Sequence, residues 1–181
     1  MQIYQALEPD DFLMIEQMPI KPSTTTVRSF CARFSRDEYK GACLRESWPF
    51  SKDKLSTSQG VVSFCSGQPN TNEETNCYQS VSALVGRMSL NDMDKAARIC
   101  AGLPSERQAL CYTMTSKAVL EEDRNKSQNA IALCMKAPEG IASECITTLV
   151  SQARFIFGDN TSQIRAFCAA VPNEFAQMCG K

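Results

Sequence analysis

Ten cysteines recur along this 181-residue chain with a fixed spacing, which constrains the fold more than any other feature. They form five close pairs, and the second members of successive pairs are always 34 residues apart. The first members are 34 or 35 residues apart. A constant period of this length indicates similar supersecondary units stacked on one another. The pairs are Cys31 with Cys43, Cys65 with Cys77, Cys100 with Cys111, Cys134 with Cys145, and Cys168 with Cys179.

Each unit begins with a pattern typical of an amphipathic helix. The residue before the first cysteine is always large and apolar, and the residue four positions before that cysteine is also apolar. This spacing of three places both side chains on one face of a helix. The first set is Phe30, Phe64, Ile99, Leu133 and Phe167, and the second is Val27, Val61, Ala96, Ala130 and Ile164.

A proline follows the first cysteine by four residues in every unit but the first, which has Ser35 there. Proline cannot continue a helix interior, so we expect the helix to end before it. A second helix then starts at once, with Asn70 predicted as an N-cap and Ser105 to Gln108 as a capping box. We expect Gly158 to end such a helix. The prolines are Pro69, Pro104, Pro138 and Pro172.

The paired cysteines cannot be bridged if they lie on one continuous helix. A separation of 11 or 12 residues spans roughly 16–18 Å along a helix, whereas a disulfide needs Cα atoms within about 7 Å. The proline break lets the two arms fold back as an antiparallel hairpin, with the cysteines facing each other. The sequence therefore predicts five bridges, each within its pair, in an all-α solenoid of about five two-helix repeats.

Two parts of the chain depart from the repeat. Residues 1–22 lie before it, and Pro9 to Asp11 could start a short helix there, so this segment is interpreted as a cap or docking arm of a repeat domain over 23–181. In the first unit, Pro49 interrupts the second helix, and a Ser/Lys-rich stretch from Ser51 to Ser58 replaces the ordered turn. That stretch is either a plain loop or a partner contact.

A 34-residue two-helix unit with proline at the junction resembles tetratricopeptide repeats. The small and aromatic residues that are usual at the signature positions of that class are absent here. Those positions hold Gln79, Ser82, Asn91 and Lys95. The placement of the cysteines is similar to that in Sel1-like cysteine-rich repeat proteins, in which a disulfide also joins the helices of each unit. This resemblance covers about residues 23–181 and implies a right-handed α/α solenoid with a protein-binding role.

Composition excludes several classes of chemistry. No histidine is present, so a Ser-His-Asp triad, a Cys-His dyad and histidine metal ligands are excluded. The cysteines are too far apart for the close C-x2-4-C pairs of structural zinc sites. The formal net charge of −1 provides no basic field for nucleic acid. The carboxylate runs are interpreted as solvated surface, and we expect no cofactor.

Cysteine content of this kind is typical of an oxidising compartment. No segment is long and apolar enough to span a bilayer, and the N-terminus lacks the pattern of a signal peptide. We therefore expect a periplasmic or secreted protein whose signal was removed, or a piece of a longer exported protein. A cytosolic protein with free thiols is the alternative.

Aromatic residues are the candidates for partner binding. Tyr78 and Tyr112 each follow a second cysteine, and could form an aromatic row in a groove or pack between hairpins. Trp48 and Phe50 flank Pro49, and could form a hot spot or a lid over the core. Two N-x-S/T sequences are glycan acceptors or chance matches, and begin at Asn125 and Asn160.

These observations predict a non-enzymatic interaction protein of the periplasm or cell exterior, as a scaffold, subunit or assembly factor of an envelope complex. The expected partners are proteins. Two alternatives are a small apolar-ligand carrier that uses gaps between hairpins, and a carboxylate-dependent hydrolase with a pocket between repeats.

Overall fold

The computed structural model describes residues 23–158 and 161–180, and all regular structure in these ranges is helical. The predicted arm over residues 1–22 lies outside the described residues. Four 3-10 helices accompany the α-helices, over Trp48–Ser51, Lys54–Ser56, Arg124–Lys126 and Asn173–Met178. The α-helices are α1 Thr24–Cys31, α2 Asp37–Glu46, α3 Ser58–Cys65, α4 Thr71–Met88, α5 Met93–Ala101, α6 Ser105–Glu122, α7 Ser127–Cys134, α8 Glu139–Phe157 and α9 Thr161–Ala170.

The helices form five hairpins, numbered here from the N-terminus: α1 with α2, α3 with α4, α5 with α6, α7 with α8, and α9 with the 3-10 helix Asn173–Met178. A proline separates the two arms in hairpins 2 to 5, as predicted. Pro104 and Pro138 stand directly before α6 and α8 with extended ψ angles of 142° and 147°. This conformation ends the first arm and lets the second arm run back beside it.

All five predicted disulfides are present, each within its pair, and the described residues contain no free cysteine. Their Cα–Cα distances range from 5.4 to 5.8 Å. Each bridge joins the C-terminal part of a first arm to the second arm of the same hairpin or, in hairpin 5, to the residue that directly follows it, which fixes the hairpin internally. The bridges join Cys31 to Cys43, Cys65 to Cys77, Cys100 to Cys111, Cys134 to Cys145, and Cys168 to Cys179.

The second cysteines of hairpins 2 and 4 show how the bridges enter the core. Cys77 lies in the second turn of α4 and Cys145 in the second turn of α8, and both are buried. The Ser116 hydroxyl of the neighbouring arm α6 lies 3.5 Å from the Cys145 sulfur. The bridge of hairpin 4 therefore packs against hairpin 3 while its covalent bond stays within its own hairpin.

The long second arms α4, α6 and α8 lie side by side and supply much of the core. Polar contacts between them join residues about one period apart. Thr115 in α6 donates its hydroxyl to the Ser82 carbonyl of α4 at 2.9 Å. Gln152 in α8 donates to Glu121 of α6 at 2.8 Å. The core residues of these arms include Val81, Val85, Val119, Ile146 and Leu149, all at most 1% exposed.

The first hairpin differs from the plain loop that its sequence suggests. Its second helix stops at Glu46, and the chain continues as the 3-10 helices Trp48–Ser51 and Lys54–Ser56. Leu55 within the second of these is fully buried. Burial of this leucine anchors the Ser/Lys-rich stretch, which is ordered and packed against the second hairpin.

Helix ends match the sequence in part. The Asn70 side chain accepts from the Glu73 N–H at 3.0 Å, which confirms its N-cap role. Gly158 ends α8 with a φ of 54°, a conformation that favours glycine. The predicted capping box is wrong, because Pro104 stands at the N-cap and Gln108 instead donates to carbonyls at the end of hairpin 3's first arm.

No helix within the described ranges combines the length and hydropathy that a bilayer crossing requires.

Candidate binding cleft between the first two hairpins

A cleft lies between the first and second hairpins, where the repeat is interrupted. Phe50 and Ser51 of its lining belong to the 3-10 helix Trp48–Ser51, which follows the end of α2 at Glu46. The apolar part of its lining consists of Val27, Leu44, Phe50 and Phe64. The cavity encloses about 70 Å³, which suits one side chain rather than a drug-sized ligand, because such ligands occupy several hundred Å³.

Two cationic side chains, Arg28 and Lys54, line the same cleft together with the serines Ser47, Ser51 and Ser63. No Asp or Glu is among the described residues of the lining. Because the lining is cationic and partly apolar, its potential favours a carboxylate with a neighbouring apolar group. A carboxylate-dependent hydrolase needs a pair of carboxylates, and the described lining of this cleft contains none.

The Arg28 guanidinium lies directly against the backbone of Gly67. A Cβ atom added to Gly67 would overlap the guanidinium nitrogen. Glycine at this position therefore lets a side chain of the first hairpin cross onto the second. Arg28 is exposed overall, so its charge stays available to a ligand at the mouth of the cleft.

The two predicted aromatic candidates of the first hairpin have separate places. Trp48 is half-buried and packs against the core, and Pro49 beside it is buried. Phe50 is also half-buried, but it lines the cleft. The structure thus divides this pair into an anchor that holds the segment and a side chain that faces the cavity.

Tyr78 and Tyr112 do not form the exposed aromatic row that one interpretation of the sequence gave them. They are 2% and 1% exposed and pack between hairpins. The Tyr112 hydroxyl donates to the Ala97 carbonyl at 3.2 Å, and the Arg107 guanidinium lies 5.1 Å from the Tyr78 ring centroid. Burial raises the pKa of both phenols, and the nearby Glu74 charge raises that of Tyr78 further.

A buried ion pair between Arg45 and Glu73 joins the first two hairpins. Glu73 is only 6% exposed, and its other oxygen accepts from the Asn76 amide at 3.3 Å. The carboxylate lies against Gly41 of α2, where a Cβ atom would collide with it. The period did not point to this pair. Its one sequence signal is the glycine within α2.

The remaining candidates are metal sites and the two glycan acceptors. Among the described residues, no three His, Cys, Asp or Glu side chains are grouped so that they could hold a metal ion. Asn125 is exposed in the 3-10 helix Arg124–Lys126, as a glycan acceptor must be. Asn160 lies outside the described residues.

The fold and the cleft define the class as an all-helical protein of disulfide-linked hairpins with a cationic, partly apolar cleft near its N-terminal end. Comparison of the chain with models of protein families gave no match, and neither did comparison with curated proteins or with solved structures. The likeness to tetratricopeptide and Sel1-like repeats therefore rests only on the 34-residue period and the placement of the cysteines.

Proposed function

We propose that this protein is a non-enzymatic interaction scaffold of an extracytoplasmic complex, in the periplasm or at the cell exterior. We also propose that its hairpins stack as a right-handed α/α solenoid of five repeats. The constant period supports the stack, as do the side-by-side contacts of α4, α6 and α8. Five disulfides support the compartment, because such bridges persist where the surroundings are oxidising.

The observation that carries the proposal is the cleft beside Phe50. It interrupts an otherwise regular repeat and brings together an aromatic side chain, Arg28 and Lys54. Aromatic and arginine side chains dominate protein-binding hot spots. The partner that this chemistry fits is an exposed protein segment with a carboxylate next to an apolar side chain.

The test begins with recovery of partners from the envelope or secreted fraction of the source cells, using the full chain as bait. The affinity of each recovered partner is then measured by calorimetry against Phe50→Ser and against the double variant Arg28→Gln/Lys54→Gln. We expect each variant to weaken binding at least tenfold.

Matched controls change the same chemistry elsewhere. Phe155→Ser removes an aromatic side chain that is 83% exposed, and Arg98→Gln/Arg124→Gln removes two exposed cations. We expect both controls to bind as the unchanged chain does. Equal affinity of the cleft variants and these controls would refute the cleft as the binding site.

A further inference from the structure

The first hairpin leaves a core position of the repeat exposed. Phe30 precedes the first cysteine of its unit, and 56% of its surface is exposed. The equivalent residues of hairpins 3, 4 and 5 are Ile99, Leu133 and Phe167, which are 4%, 0% and 2% exposed. The same repeat position is therefore interior in these three hairpins, half-buried in the second at Phe64, and mostly exposed in the first.

The chain just before a first arm covers this position in the fifth hairpin. The ring of Phe157, at the end of α8, lies 6.3 Å from the ring of Phe167, and it precedes that residue by ten positions. In the second hairpin the fully buried Leu55 stands nine positions before Phe64. By the same register, the chain that would cover Phe30 ends near residue 20.

The surface around Phe30 has a distinct composition. Phe34 meets the Phe30 ring edge-on with 6.2 Å between centroids, and the Arg33 guanidinium lies 5.9 Å from the centroid of the Phe30 ring. These three residues are called the Phe30 surface below. Arg33 on this surface is exposed, whereas Arg28 lies in the cleft and Arg36 pairs with Glu38.

We propose that residues 8–20 of this chain bind the Phe30 surface and cover it as Phe157 covers Phe167 in the fifth hairpin. Ile20 precedes Phe30 by ten positions, as Phe157 precedes Phe167. The segment also contains Phe12, Leu13 and Ile15 as apolar groups. Its charge complements that of Arg33, because it contains the acidic residues Glu8, Asp10, Asp11 and Glu16.

Connectivity favours this segment over a second copy of the chain. Only two residues separate it from Ser23, the N-cap of α1, so docking within one chain needs only a short tether. Short tethers give effective concentrations on the order of millimolar. The proposal does not rest on the scaffold function, since it concerns how the first hairpin completes its own core.

Photo-crosslinking tests the contact directly in the full chain. Phe30 is replaced by p-benzoylphenylalanine, and the irradiated protein is digested and mapped by mass spectrometry. We expect crosslinks to residues 8–20. A mixture of isotope-labelled and unlabelled protein shows whether they form within one molecule, as expected. The same replacement at Phe155, which is 83% exposed, serves as the control and should give no crosslink to that segment.

Hydrogen exchange gives a second, independent readout. Leu13→Ser/Ile15→Ser should speed exchange of the α1 amides at least tenfold and leave those of α6 unchanged. The matched control Ile3→Ser/Leu7→Ser changes two apolar residues outside 8–20 and should have no such effect. Crosslinks only between molecules would assign the surface to a second copy. Unchanged α1 exchange in the first variant, or no crosslink from position 30 to residues 8–20, would overturn the proposal.

Discussion

The guanidinium of Arg45 and the carboxylate of Glu73 form a buried ion pair that ties the end of α2 to the start of α4. The two residues are 28 positions apart, and the side chains are 19% and 7% exposed. No disulfide joins the two hairpins, since each described bridge stays within its own hairpin. The pair is therefore a main polar link between the first and second hairpins.

Removal of the charge on Glu73 should be strongly destabilising. Glu73→Gln leaves the Arg45 charge buried without its counter-ion, and breaking a buried pair costs about 3–5 kcal/mol. Chemical denaturation should show a loss of this order in the free energy of unfolding. The control Glu122→Gln removes half of an exposed pair with Arg87, worth less than about 1 kcal/mol. Equal losses in both variants would contradict the role given to Arg45 and Glu73.

Two helical glycines should respond to alanine with opposite signs. A Cβ atom at Gly41 would collide with the Glu73 carboxylate, so Gly41→Ala should lower the melting temperature. Nothing lies within 4 Å of a Cβ atom at Gly140, which is in the first turn of α8. Gly140→Ala should raise stability by up to about 1 kcal/mol through helix propensity. Calorimetric unfolding of both variants checks the signs, and stabilisation by Gly41→Ala would show that the carboxylate lies elsewhere.

The bridges should be reduced in an order set by access. Cysteines of the three inner pairs, Cys77 and Cys145 among them, are at most 1% exposed, whereas Cys43, Cys168 and Cys179 are partly exposed. All five loops are nearly equal in length, so loop entropy does not separate them. Brief treatment with phosphine, followed by alkylation and mass spectrometry, should therefore label the first and fifth pairs before the others. Simultaneous labelling of all pairs would indicate global unfolding instead.

Stability should fall in alkaline solution. Burial raises the pKa of Tyr78 and Tyr112 above the ordinary value near 10. The unfolded chain then loses these protons first, so the stability contributed is present below about pH 10 and lost as pH rises through the folded pKa. Urea unfolding across this range should show the decline. Tyr112→Phe should flatten it, and an unchanged slope would contradict the assignment.

The period, the geometry of helices and the prolines of four units together were sufficient to predict all five bridges, because they leave few ways to bring each pair together. The fate of Tyr78 and Tyr112 could not be predicted. A residue next to a cysteine points about 100° away around the helix, and only the position of the adjacent hairpin decides whether that direction is solvent or core.

The cleft could not be predicted from the sequence either. Phe50 was a candidate, but Arg28 belongs to α1 and meets Gly67 only because the first two hairpins pack closely. Periodicity describes what the repeats share, whereas the cleft exists because the first repeat differs. Likewise, Ser105 and Gln108 have the spacing of a capping box. Because Pro104 holds the N-cap position, Ser105 is already the first residue of the helix.

Because every disulfide closes within one hairpin, a gene segment that encodes one whole hairpin carries a complete cysteine pair. Duplication or deletion of such a segment leaves no thiol without its partner and creates no new choice of pairing between distant parts of the chain. Cross-linked proteins with interleaved bridges cannot change length in this way. Gain or loss of a whole hairpin therefore leaves the pairing of the remaining cysteines unchanged.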